Sequence, residues 1–149
     1  MNMTLPTPEA VSGGLLIGGH ALAQLGSSRH TDDVDYLIHD PSSKEPFAHD
    51  EANNIDYVNA NGHPFFAAVW KAEAGNNTGR ATPQSLFELK AFAYVQHCLN
   101  RRFQKADDAE FDLRFLVRNF GLRQVKLVPK HITAGQLSEI QKVIESTRV

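Results

Sequence analysis

Asp33 and Asp35 stand two residues apart in the run Asp33-Val34-Asp35-Tyr36-Leu37-Ile38, and a third carboxylate, Asp56, lies between Ile55 and Tyr57. On a strand, residues i and i+2 share a face about 7 Å apart, close enough for both carboxylates to converge on one cation. Left unpaired, they would repel. Magnesium removes that repulsion, since it takes oxygen ligands in octahedral geometry, typically one or two carboxylates together with substrate phosphates. With Asp56 on an adjacent strand, the set could hold two ions about 4 Å apart and stabilise both oxygens of an in-line phosphoryl displacement. Asp56 could also take the proton of an attacking hydroxyl. Upstream, the apolar run Leu15-Leu16-Ile17 ends in Gly18-Gly19, a strand-to-helix turn at which backbone N–H groups approach a triphosphate unobstructed. Arg29 and Thr31 crowd with Asp33 and Asp35 into seven residues.

Each feature also has a purely structural reading. A glycine pair is usually only a turn, and two alternating aspartates can be a solvated strand face. Arg29 can pair with Asp32 or Asp33, and Thr31 can hydrogen-bond its own backbone. What favours a metal site is the conjunction of three carboxylates, each expected inside a short apolar strand.

The elements that must carry these residues follow from periodicity. Leu15–Ile17, between glycines, reads as a short buried strand, and His20 to Leu25 as a short helix closed by Gly26. Val34, Tyr36 and Ile38 alternate as a second strand, and Ile55, Tyr57 and Val58 frame a third. The polar segment from His39 to Asn54, with Pro41 and Pro46, predicts a loop with a brief helix. Phe65 to Trp70 is either a strand or the start of a helix, and Gly75 to Gly79 is a turn. Thr82-Pro83 caps a long helix reaching Arg102, in which Lys90 is the odd cation of an apolar stripe and Cys98 a core residue. Asp107 or Asp108 caps another helix, closed by Gly121, with Asp108 and Asp112 solvating it. Leu137, Ile140, Val143 and Ile144 mark a last amphipathic helix. Pro6 and Pro8 suggest a loop or one helical turn at the start. Strands first and helices last give an α+β class.

At 149 residues the chain suits one compact domain, with a core over about 14–80 and a helical part over about 82–149. A net charge of −2 gives no support to a bulk nucleic-acid binder. Arg101, Arg102 and Lys105 read first as a solvated helix end, and alternatively as a contact for RNA or an acidic partner. The single cysteine excludes an internal disulfide, and the seven histidines lack the spacing of a zinc motif. No apolar run approaches the roughly 20 residues of a spanning helix, and residues 1–10 lack the pattern of a signal peptide, so a cytoplasmic protein is expected. Exposure of Phe65, Phe66 or Trp70 would favour a homo-oligomer.

Apolar-Gly-Gly, thirteen residues, Asp-apolar-Asp-apolar and a later apolar-Asp-apolar resemble the nucleotidyltransferase fold of the DNA polymerase beta superfamily. Arg29-His30-Thr31-Asp32-Asp33-Val34-Asp35 is closest to the signature of the small minimal and abortive-infection-type members. Thr82-Pro83-Gln84-Ser85-Leu86 opening a helix with Lys90, then Lys105, Asp108 and Asp112, extends the similarity over about residues 14 to 118. The resemblance implies a small mixed sheet flanked by helices. It also implies a magnesium-dependent transfer of a nucleoside monophosphate from a nucleoside triphosphate such as ATP to a hydroxyl on tRNA, protein or a small molecule, with manganese as a substitute ion. By that resemblance Asp33, Asp35 and Asp56 hold the metals, Gly18, Gly19, Arg29 and Thr31 receive phosphates, and Lys90 reaches the triphosphate. A catalytically inactive nucleotide-binding or toxin-antitoxin partner module of the same fold is the alternative. The short polar segment between Asp35 and Asp56, and the bulk of His20 after the glycines, depart from the family pattern.

Overall fold

A computed structural model describes residues 14–148 as a mixed α+β protein with a four-stranded sheet and five α-helices. The loop or helical turn expected around Pro6 and Pro8 lies outside the described residues. The chain divides between Thr82 and Pro83 into two compact units.

In the first unit, β1 (Leu15–Ile17) runs into α1 (Gly18–Gln24), followed by β2 (Val34–Ile38), β3 (Phe47–Asp50), β4 (Ile55–Asn59) and α2 (Pro64–Ala72). The sheet order is β1-β2-β4-β3, with β2 and β4 parallel and both outer pairs antiparallel. All three residues of β1 are buried, as are Leu37 and Ile38 at the end of β2, which is why so short a run holds as strand. The extended stretch Gly79–Ala81 lies alongside β1: the Leu16 amide donates to the Gly79 carbonyl at 2.8 Å, and the Ala81 amide to the Leu16 carbonyl at 3.1 Å.

The segment from His39 to Asn54 holds a strand and no helix, which corrects the sequence expectation. Pro46 stands just ahead of β3, where no ladder donor is lost, and β3 then pairs with β4 through a tight turn. That turn is made by its side chains. Asp50 accepts from the amide of Asn53 (3.3 Å) and from its Nδ2 (2.9 Å), and Asn54 takes a positive φ of 52°. The loop before β3 is fastened by the buried Asn59, whose Oδ1 accepts from the Asp40 amide and whose Nδ2 donates to the carbonyls of Asp40 and Ser43.

Phe65 to Trp70 lies in a helix, with His63 capping the Phe65 amide and Pro64 at the first helical position. Phe65 and Phe66 are buried against the sheet side, so they form no exposed association patch.

The second unit contains α3 (Pro83–Leu99), α4 (Phe103–Phe120) and α5 (Ala134–Ser146), with a 3-10 turn at Val128–His131. Leu86, Phe87, Ala91, Leu113, Leu116 and Ile140 form its core. Gly121, at φ 66°, closes α4, and Thr133 with Gln136 forms a capping box on α5. Three expectations are corrected here. α4 begins at Phe103, so Asp107 and Asp108 lie inside it and cap nothing. Cys98 is exposed, being in the last turn of α3 where the packing partner ends. Asp112 is fully buried and unsolvated, because Lys90 meets its carboxylate at 2.9 Å. No described helix is long and apolar enough to cross a membrane.

Glu88 anchors the segment after α4. Its buried carboxylate accepts from the amides of Lys126 (2.6 Å), Leu127 (3.0 Å) and Val128 (3.0 Å), and from Gln84 Nε2 at 2.9 Å. Truncation would leave three amides without their acceptor, at about 1–3 kcal/mol each. Glu88→Ala is therefore expected to destabilise the helical unit by about 3 kcal/mol or more, read as a lowered urea midpoint. A midpoint within 0.5 kcal/mol-equivalent of the parent, a size typical of about any surface substitution, would refute the anchoring role.

Candidate functional site

Pairing of β2 with β4 sets Asp35 directly opposite Asp56. β1 places Ile17 opposite Asp35, and β3 places His49 opposite Asp56. Opposed residues share a sheet face, so Ile17, Asp35, Asp56 and His49 form one row across all four strands. One repeat further along the same face, Leu15, Leu37, Val58 and Phe47 make an apolar row, in which Leu15 and Leu37 are buried. The face thus passes from core to half-exposed carboxylates within two residues.

The glycine pair lies against this row. A Cβ on Gly18, whose φ is 71°, would overlap the Asp35 carboxylate and fall 3.0 Å from its Cγ. A Cβ on Gly19 would overlap the Thr31 methyl and fall 3.3 Å from an Arg29 terminal nitrogen. Backbone therefore touches Asp35, Thr31 and Arg29 where any side chain would hold them off. Thr31 Oγ1 also accepts from the Asp33 amide at 3.2 Å, the local turn bond that its residue type permits. Five of the residues singled out in the sequence, Gly18, Gly19, Arg29, Thr31 and Asp35, gather here, with Asp56 in the adjoining strand.

Asp33 departs from the expectation. β2 begins at Val34, and Asp33 is an exposed residue of the turn before it, so the alternation of a strand does not set its direction. Among the described residues no group of three His, Cys, Asp or Glu side chains is close enough to hold a metal ion. Lys90 belongs to the helical unit, where it and Asp112 neutralise each other.

His49 is the residue that sequence reading passed over. Its Nδ1 lies 2.5 Å from Asp56 Oδ1, with the two side chains 37% and 42% exposed. That hydrogen bond is the main cause raising its basicity above the usual histidine value of 6.5; partial burial opposes it, and the charges of Asp56, Glu51 and Asp50 add to it. Its only sequence signal was the alternation of Phe47 and His49 with Ala48 and Asp50. Next to the glycines, the His20 Nε2 is buried without a hydrogen-bond partner among the described residues.

No family model, curated protein or solved structure matches this chain.

Two outcomes follow from this geometry. Gly18→Ala must place an L-residue at positive φ and displace the Asp35 carboxylate, so a loss of about 2 kcal/mol or more is expected by denaturant titration. Gly26→Ala, also at positive φ but facing open space, should cost less; equal losses would show that backbone conformation alone matters. For His49, an NMR titration should give a midpoint above 6.5 that falls back toward it in Asp56→Asn. A raised folded value means that the contribution to stability is complete below 6.5 and is lost as pH climbs through the raised value. An unchanged midpoint in Asp56→Asn would break the assigned cause.

Proposed function

We propose that this chain is a magnesium-dependent nucleotidyltransferase that moves a nucleoside monophosphate from a nucleoside triphosphate to a hydroxyl acceptor. The observation that carries the reading is the parallel register setting Asp35 beside Asp56, with Gly18 pressed on Asp35 and Gly19 on Thr31 and Arg29. The mixed α+β sheet is compatible with the nucleotidyltransferase fold that those motifs resemble.

The donor chemistry suits the ion. Asp35 and Asp56 offer carboxylate oxygens from neighbouring strands, the ligand type of magnesium and manganese, and Asp33 on the adjoining turn would complete the set. Bound there, the ion would neutralise phosphate charge and activate the attacking oxygen. The chain's own groups do the rest. Arg29 and the Gly18-Gly19 backbone receive phosphate oxygens, with Thr31 beside them. The acceptor oxygen bonds to the α-phosphorus while the bond from that phosphorus to the bridging oxygen breaks, and pyrophosphate leaves with the electron pair. Asp56 takes the hydroxyl proton, and His49, already bonded to its Oδ1, steadies that carboxylate.

A second reading has its own support. His49 already occupies one oxygen of Asp56, and no three-ligand group is assembled among the described residues, as in a nucleotide-binding or toxin-antitoxin partner module without catalysis.

Incubation with each α-labelled triphosphate, magnesium and a total cell extract, followed by separation of RNA, protein and small molecules, distinguishes the two. Transfer of label to one fraction is expected. Asp35→Asn and Asp56→Asn should each lower it by at least about a hundredfold, the size that even outer-shell partners of metal sites reach, while melting temperatures hold. Triphosphate binding by calorimetry without transfer would establish the second reading. Undiminished transfer in both variants would overturn the carboxylate assignment.

A further inference from the structure

The α3–α4 turn in the helical unit makes an unusual choice of residue. The Arg101 amide donates to the Cys98 carbonyl at 3.2 Å and the Arg102 amide to the His97 carbonyl at 2.8 Å, the double bond of a Schellman C-cap. Such a cap puts its penultimate residue in the left-handed region, where glycine fits without strain. Here that residue is Arg101, at φ 57°. An L-residue with a long side chain carries a conformational cost of about 1–2 kcal/mol at this position, and backbone strain of this kind is kept where the side chain serves a purpose.

Around Arg101 the surface has a definite chemistry. Arg102, Phe103 and Lys105 follow it, all exposed, and Phe103 and Leu99 are 65% and 64% exposed, more than any other large apolar side chain among the described residues. None of the three cations has a carboxylate partner within ion-pair distance among the described residues, whereas Asp108, one turn on, accepts from Gln104. Asp107 and Asp108 are the acidic residues nearest in sequence, so the positive charge is confined to the turn itself. Arg102 and Lys105 are close enough to His97 to lower its basicity, behind the burial that is the main cause.

We propose that this turn, Leu99 to Lys105, is a docking surface for single-stranded nucleic acid. Three cations without a carboxylate partner among the described residues can each meet a backbone phosphate, and a solvent-facing phenylalanine beside them offers a platform on which an unpaired base stacks. An acidic peptide would use the cations and leave the ring idle. An anionic membrane would ask for a broader apolar face than Leu99 and Phe103 provide. The inference is independent of the transfer chemistry proposed for the sheet unit.

The test is fluorescence anisotropy of the full chain, with no triphosphate present, against a labelled twelve-nucleotide RNA, the DNA of the same sequence, and both as duplexes. Single strands should bind more tightly than duplexes, and the RNA and DNA arms tell which sugar is preferred. The logarithm of affinity should fall with that of salt at a slope near about −2, as for three phosphate contacts. Arg102→Ala and Lys105→Ala should each reduce the slope by about 0.7. Phe103→Ala should weaken binding roughly five- to a hundredfold with the slope kept. Arg101→Gly is the decisive variant: it should reduce the slope like the other two while holding or raising the melting temperature. Absence of single-strand binding at low salt, or variants that bind like the parent, would overturn the proposal, as would a lowered melting temperature in Arg101→Gly. Equal, equally variant-sensitive binding of polyglutamate or of phosphatidylserine vesicles would also overturn it, in favour of an acidic protein or a membrane surface.

Discussion

The side-by-side placement of β2 and β4 is the constraint on which the sheet unit depends. Parallel strands have no hairpin to set their alignment, and a slip of one residue would turn Asp56 to the opposite face and Val58 with it. Two things hold the register at Asp35 on Asp56. Leu37 is fully buried one step along, so a slip would exchange core for solvent. Asn59 closes the far end: its side chain reads both the amide and the carbonyl of Asp40, just beyond β2, like one more rung of the ladder. These are buried bonds to backbone, so breaking them leaves polar groups stranded. β3 then pairs with the outer edge of β4 and brings His49 to Asp56.

Buried carboxylates serve as backbone acceptors in both units. Glu73 takes the amide and hydroxyl of Thr82 at 2.9 and 2.8 Å together with the Asn76 side chain, within the sheet unit. Glu88 takes three successive amides within the helical unit. In each case the burial of a polar side chain is offset by hydrogen bonds that also fix an irregular segment, the job that secondary structure performs elsewhere. Lys90 and Asp112 solve the same problem by pairing with each other. A cation on an apolar stripe can bend its stem toward water, but here it finds a buried anion on the neighbouring helix instead.

What the sequence disclosed follows from how local each signal is. Strand alternation at Val34–Ile38 and Ile55–Asn59, the glycine after Phe120 and the proline at the start of α3 depend on neighbours within a few residues, and all appear in the structure. β3 was hidden because its four residues are partly polar and owe their conformation to the edge of β4 and to the Asp50–Asn53 turn. Burial of Asp112 depends on Lys90, 22 positions earlier, and exposure of Cys98 on where α4 begins. At the candidate site, Gly18 lies against Asp35 and Gly19 against Thr31, a closeness that arises between residues 12 to 17 positions apart. Asp33 shows the limit of a period-2 argument, since the pattern extends one residue past the strand that would give it meaning.

The two surface features that invite function have the same physical form. Like charges directly opposite on adjacent strands destabilise a sheet, yet Asp35 and Asp56 face each other where a threonine or valine would pack without repulsion. His49 relieves part of that repulsion by bonding to Asp56. In the helical unit, Arg101 occupies a left-handed position that glycine would fill without strain. Both choices run against the local preference. Residues kept against the local preference of their own backbone or neighbours, at a half-open or open surface, are where function is expected, and the ligands we propose for them, a hard divalent ion for the carboxylates and a phosphate backbone for the arginine, carry the opposite charge.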